Sequence, residues 1–392
     1  MRLQPAIRHT VGVTEPNQQT TRHDNGTVSQ HPKRPRRGSS LRRWANRIGI
    51  GVLALIVVVV AGGSGYEAFA RHQAASDYPP RGRMIDIGGR SIHLDCRGTG
   101  SPTVVFESAL GVSGSLDWNL VHDQIARTTR ACSYDRAGIM WSDQKTSHQN
   151  GDAVVEDLHA TLVAAGEKAP FVLVAHSVGG EYATIYTNKY PGQVAGLVLV
   201  DASHPEQEQR LSAALKEPMA TAEESQAPAS ERILADLAWT GVVRLMPATI
   251  VTQGETAFPA EVVAKALAYL PTSASAALDE GDASRETDKQ VGTFRDLGDR
   301  PMVVLCAGHP ASDKDLKSWG ETRRYNDTQE SVWKALHVEE ASWSTRGRLV
   351  LVPDSGHFMQ FDRPEVVIAA VRDVVASVRT PSAPFDTATV TR

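Results

Sequence analysis

The stretch Phe171-Val172-Leu173-Val174-Ala175-His176-Ser177-Val178-Gly179-Gly180 decides how this chain is read. Its apolar start has the look of a strand covered on both faces. The strand breaks into a small-x-Ser-x-Gly bend, and Glu181 to Tyr190 reads as a helix. A serine on so tight a strand-to-helix bend projects its Oγ above the sheet edge, with the helix N-terminus behind it. Ala175 and Gly179 offer little or no Cβ bulk, so strand and helix can approach closely. Ser is also a favoured N-cap, so these residues alone do not separate a nucleophile from a cap.

A serine hydroxyl needs a base to take its proton, and the base needs a carboxylate to orient it. His357 is the best base among thirteen histidines. It follows the apolar run Leu349-Val350-Leu351-Val352 in the loop Pro353-Asp354-Ser355-Gly356-His357-Phe358. His176 flanks the serine and is expected in the wall of the site, whereas His93, His122, His204 and His309 lack matching context. Two places can supply the acid. Asp201 ends the strand Leu197-Val198-Leu199-Val200, and Asp313 and Asp315 follow the strand that ends at Cys306. Placement favours Asp201 over Asp313, although Asp at a strand end often only caps a turn. An oxyanion needs two backbone N–H donors. Val178, directly after the serine, and Leu110, in the loop after Val104-Val105-Phe106, are best placed.

Outward from this centre the chain alternates strands and helices. Met84–Ile87 and Ser91–Cys96 read as a hairpin about Gly88-Gly89. Strands are expected at Thr103–Glu107, Arg130–Tyr134, Val194–Val200, Met302–Leu305 and Arg348–Val352. Helices are expected at Leu116–Thr128 and Asp152–Ala165. This is a mostly parallel α/β sheet covered on both faces. Residues 205–296 break the rhythm, with helical spacing in Ser230–Leu245 and Pro259–Leu270 and no convincing strand. They read as a helical cap over the sheet edge where ligands bind. Residues 71–204 and 297–379 form the two parts of the core, and 380–392 a disordered tail.

The 392 residues carry a net charge of −4 that hides an asymmetry. Residues 1–47 hold ten Lys and Arg against Glu15 and Asp24, or +8, and the remainder carries −12. That segment reads as a disordered basic tail. A nucleic-acid role for it is disfavoured by its neighbour, a run of nineteen uncharged residues from Ile48 to Tyr66, close to the length that crosses a bilayer. Residues 48–70 thus read as a transmembrane helix or signal anchor. Arg42, Arg43 and Arg47 stand just before the run and place the N-terminus in the cytoplasm, with the main domain outside. Cleavage after Ala68-Phe69-Ala70 is the rival, and the long polar lead-in favours the anchor. An oxidising compartment permits one bridge among Cys96, Cys132 and Cys306. No metal-binding spacing and no phosphate loop stand out, and no cofactor is expected.

Taken together, these motifs resemble the α/β-hydrolase fold superfamily, in its branch of membrane-anchored bacterial serine hydrolases. The resemblance covers about residues 78–378. It rests on Thr103-Val104-Val105-Phe106-Glu107-Ser108-Ala109-Leu110-Gly111, Tyr134-Asp135-Arg136-Ala137-Gly138, the Ser177 bend, Val200-Asp201-Ala202-Ser203-His204 and Ser355-Gly356-His357-Phe358, in the order nucleophile, acid, histidine. It implies an α/β-hydrolase fold with a sheet of about eight strands, a helical cap and one preceding transmembrane helix. Three departures matter. Ser108-Ala109 replaces the common His-Gly before the oxyanion donor. Met140 replaces a glycine and should reshape the pocket floor. Gly308-His309-Pro310-Ala311 leaves the usual acid position after the seventh strand empty, which adds weight to Asp201. The fold's strand order would set the second and fourth strands side by side and bring Cys96 to Cys132. A serine at 177 argues against epoxide hydrolases and haloalkane dehalogenases, which carry Asp there. The resemblance implies hydrolysis of a small-molecule or lipid-like ester. Amide, thioester or carbon–carbon cleavage, and a catalytically silent binding or envelope-interaction protein, are the other readings.

Overall fold

The computed structural model describes residues 38–221, 223–252, 258–313, 316, 317 and 320–392. Among the described residues, nine strands form one sheet in the order β1 (Arg83–Asp86), β2 (Ser91–Arg97), β4 (Ala131–Tyr134), β3 (Thr103–Glu107), β5 (Phe171–His176), β6 (Val194–Val200), β7 (Met302–Ala307), β8 (Gly347–Val352) and β9 (Val390–Thr391). β2 pairs antiparallel with β1 and β4, and every pair from β4 to β9 is parallel. Every residue of β3, β4 and β5 is buried, which is why these strands are apolar without alternation. Ahead of β6 come the helices α1 (Gly38–Asp77), α2 (His122–Ala126), α3 (Gly151–Ala165) and α4 (Gly179–Lys189). Between β6 and β7 lie α5 (Gln207–Leu215), α6 (Ala229–Asp236), α7 (Thr249–Thr252), α8 (Ala260–Asp282) and α9 (Ser284–Val291). The last three are α10 (Arg323–Ser342), α11 (Met359–Asp362) and α12 (Pro364–Arg379).

Two apolar layers sandwich the sheet. On one face Leu158 and Leu162 of α3 and Tyr182, Ile185 and Tyr186 of α4 meet Val105, Leu173 and Leu197. On the other, Val367, Val371 and Val374 of α12, with Trp118 and Ile125, meet Phe106, Val172 and Val198. Cys96 and Cys132 stand directly opposite each other on β2 and β4, with Cα atoms 4.0 Å apart, and are joined by a disulfide. Cys306 is free and buried.

Several elements differ from expectation. The expected Leu116–Thr128 helix is a 3-10 turn, Gly114–Trp118, followed by the short α2, because Trp118 turns inward to donate to Ser108 Oγ. The expected Ser230–Leu245 helix ends at Asp236 and continues as two 3-10 turns separated by Gly241, whose φ of 81° ends the first of them. Helix α8 instead runs on through Pro271 to Asp282. Residues 380–392, expected as a disordered tail, return to the sheet, where Val390 and Thr391 pair with Val350 and Leu351. Phe385 packs on the apolar layer and supplies the burial that a polar tail would lack. The expected basic tail lies, as far as residue 37, outside the described residues, and α1 already begins at Gly38.

Helix α1 is long and apolar enough to cross a membrane. Its far end docks on the segment between β6 and β7, against the 3-10 turn Ala238–Thr240 and α8. Glu67, only 2% exposed, pairs with Arg244 at 2.6 Å and with Arg71 at 2.7 Å. Tyr269 Oη of α8 donates to the carbonyl of Tyr78, as does Trp141 Nε1.

Candidate active site

The β5 strand ends at His176, paired with Val200 of β6, so Ser177 and Asp201 leave adjacent strands at one level. Both have left-handed backbone, φ 56° at Ser177 and 44° at Asp201, conformations that cost a non-glycine residue about 1–2 kcal/mol. The packing explains the glycines beside the serine. A Cβ on Gly179 would stand 2.8 Å from the Glu107 carbonyl oxygen, and one on Gly180 would stand 2.5 Å from Ala202 Cβ. The start of α4 therefore lies against the end of β3 and the loop after it. Ser177 is 2% exposed, and its carbonyl accepts from Gly180 and Ser203.

His357 comes from the loop after β8. Its Nδ1 lies 2.6 Å from Asp201 Oδ2. The other oxygen, Oδ1, accepts from the Ala307 amide at 2.9 Å and from Trp333 Nε1 at 3.0 Å. Burial would raise the pKa of Asp201, but the hydrogen bond and charge of His357, with His337 and the Ala307 amide, hold it well below the usual carboxylate range. Asp201 is thus a firm anion. Asp313 lies elsewhere: its side chain is 96% exposed and pairs with Arg323 at 2.5 Å. Asp315 lies outside the described residues.

His176 braces this arrangement. Gln360 Nε2 donates to its Nδ1 at 3.1 Å, so its Nε2–H is free to donate to the His357 carbonyl at 2.8 Å. Burial and the neighbouring His357 keep its pKa well below normal, so the ring is neutral. Phe358, Phe361, Phe258 and Val262 close an apolar cluster over the histidine loop.

The loop after β3 is held from below by Arg136. Its guanidinium donates to the carbonyls of Ser108 at 2.9 Å and Ala109 at 2.7 Å, and pairs with Glu107 and with Glu280 of α8, both at 2.9 Å. Leu110 follows directly, and Gly281 of α8 lies over its side chain. Asp117, buried under the same loop, accepts from Ser113 Oγ, and burial pushes its carboxyl up to about 7. Met140 sits at φ 47°, buried against the cap core, and its amide donates to Ser273 Oγ of α8 at 2.9 Å. A cavity of about 260 Å³ opens nearby between the end of α1, β2 and Lys265 of α8, but neither Ser177 nor His357 lines it.

Sequence reasoning passed over Trp333, His337, Gln360 and Glu280. Trp333 and His337 sit one helical turn apart on α10, with no motif to connect them to Asp201. Arg136 was visible only as part of a motif, without its role beneath the loop.

The model of the "Alpha/beta hydrolase family" matches residues 56–370. The chain belongs to the alpha/beta hydrolase family. Among curated proteins it is 24% identical to the uncharacterized protein YbdG of Bacillus subtilis, over 40% of this chain and 49% of that one. It is 25% identical to the uncharacterized protein YqjL of the same organism, over 77% of this chain and 95% of that one. The match thus spans about half the length of YbdG. Among solved structures, a thermophilic esterase from Thermogutta terrifontis superposes with a TM-score of 0.51 at 18% identity, over 76% of this chain and 98% of the other. An epoxide hydrolase from Bacillus megaterium superposes at 0.53 with 13% identity, over 75% of this chain and 100% of the other. At these identities the likeness is one of fold.

Proposed function

We propose that this alpha/beta hydrolase is a serine hydrolase that cleaves carboxylic esters or closely related acyl bonds outside the cytoplasmic membrane. The observation that carries this reading is the His357–Asp201 pair, closed at 2.6 Å at the edge where the strained Ser177 bend emerges. Serine at 177 separates the chain from the epoxide hydrolases that share its fold, in keeping with the Asp that chemistry requires.

With Nδ1 committed to Asp201, His357 has Nε2 to offer the serine. It takes the Ser177 proton as Oγ attacks the carbonyl carbon, and Asp201 stabilises the imidazolium. The amides of Val178 and Leu110 receive the negative charge on the carbonyl oxygen. Collapse expels the alcohol, which takes its proton from His357, and leaves an acyl-serine. A water, deprotonated by the same ring, then releases the acid. Two features support the location: the arginines at 42, 43 and 47 before the apolar run, and a disulfide, which an oxidising compartment sustains.

Covalent labelling with a fluorophosphonate tests the nucleophile on the full-length protein. Label is expected on wild type and absent from Ser177→Ala. His357→Ala should lose roughly 10³-fold or more of ester turnover while keeping its circular dichroism. An unlabelled wild type, or label that persists in Ser177→Ala, would sink the assignment and favour a silent binding protein.

A further inference from the structure

Helix α1 and the cap share an interface that sets their relative heights. The apolar run is bracketed by two exposed aromatics, Trp44 and Tyr66. They lie 22 residues apart, about 33 Å along a helix, and the uncharged run Ile48–Tyr66 that follows Arg47 covers about 28 Å of it, close to a hydrocarbon core with aromatics near its boundaries. The 3-10 turns of the cap touch α1 below the second aromatic. A Cβ on Gly63 would stand 2.3 Å from the Thr240 carbonyl oxygen, and one on Gly241 would lie 3.6 Å from Tyr66 Cδ1. Gly63 is three residues, about 4.5 Å, inside the Tyr66 boundary. The buried Glu67–Arg244 pair locks this register.

That edge of the cap is also apolar where nothing covers it. Ile233 and Leu237, one helical turn apart, are exposed, and so are Trp239 at 53% and Leu245 at 84%. Such a cluster is costly in water. Of the charges in and beside the segment, Arg232 pairs with Asp279 and Asp282 and Arg244 with Glu67, while Glu231 is exposed near the start of α6. Asp236 is exposed at the end of α6.

We infer that the Ile233–Leu245 edge of the cap is seated in the outer leaflet of the membrane that α1 crosses. Trp239 then joins Tyr66 in one interfacial aromatic belt, and Leu245 reaches into the acyl region. The inference rests on the reading of α1 as membrane-spanning. It goes beyond it by making the cap itself a lipid-contacting surface. Continuity identifies the occupant, since the exposed cluster adjoins the helix that carries the apolar span.

Depth-dependent quenching tests this. Leu245→Cys, Val57→Cys and Val338→Cys are labelled with an environment-sensitive fluorophore in the full-length chain. The native thiols do not compete, since Cys306 is buried and the other two are bonded. The proteins are reconstituted in phosphatidylethanolamine–phosphatidylglycerol vesicles with nitroxide-bearing acyl chains. The label at 245 is expected to lose roughly half its emission, as an interfacial side chain buried about 5–10 Å would. The label at 57 should be quenched too, and that at exposed Val338, on α10 packed against α5, β7 and β8, should not. Quenching at 57 but not at 245 overturns this inference alone. No quenching at 57 overturns the membrane-spanning reading and this one with it. Equal quenching at 245 and 338 signals adsorption and overturns the specific edge.

Discussion

Asp201 spends both carboxylate oxygens on holding one position: His357 on one side, the Ala307 amide and Trp333 indole on the other. Asp201→Asn should therefore lower ester turnover by about 10⁴-fold. Asp313→Asn should stay near wild type, because that carboxylate faces solvent and Arg323. Steady-state kinetics on the two variants side by side decide which acid serves. Trp333 is a positioning residue under this reading. A hydrogen bond to a charged group is worth about 1.5–3 kcal/mol, so Trp333→Phe should lower kcat about ten-fold with KM unchanged. A rise in KM instead would make Trp333 part of the substrate pocket. Asp117 sets a pH dependence of stability. Its folded pKa of about 7 lies above the unfolded value near ~4. The folded state thus keeps a proton that the unfolded state gives up, and stability falls as pH rises through that window. Asp117→Asn, which cannot ionise, should narrow the gap in Tm between pH 5 and pH 8, read by thermal denaturation.

At the scale of elements, the serine bend and the histidine loop were legible because each is local: an apolar run, a small residue, then the candidate reacting group. The acid was harder, since the choice between Asp201 and Asp313 depends on which loop bends toward β8. Trp333 and Glu280 were out of reach, because their partners lie 132 and 144 residues away. The segment between β6 and β7 was readable as helical but not in its breaks: α6 stops at Asp236, Gly241 ends only the 3-10 turn that follows, and Pro271 is carried through α8. Arg136 ties the elements together, and its pairing with Glu107 and Glu280 is fully buried. Removing one partner of such a group leaves uncompensated charge, so Arg136→Ala should cost about 3–5 kcal/mol by denaturant unfolding. Met140 shows the same coupling from the other side: its strained backbone is retained where its side chain and amide both engage the cap.

Across the whole molecule, the antiparallel β1–β2–β4 corner is fastened to the parallel sheet by the Cys96–Cys132 bridge. The bridge closes a loop of 36 residues in sequence separation. Chain-entropy arguments put the stabilisation at about 4 kcal/mol, so Cys96→Ala with Cys132→Ala should lower the midpoint of denaturant unfolding accordingly. Unchanged stability would mean that the corner is held by its packing alone. The seating of Glu67 bears on how the chain can be shortened. A chain cut after Ala70, whether by a signal peptidase or by a designer seeking a soluble form, would lose Gly63, Tyr66 and Glu67 together. Arg244 would be left without its carboxylate and the Thr240–Gly241 turn without its floor. The shortened chain would keep its sheet and its serine but lose one wall of the helical segment between β6 and β7, so under the proposed function any substrate preference it showed would report on the truncation as much as on the full-length protein.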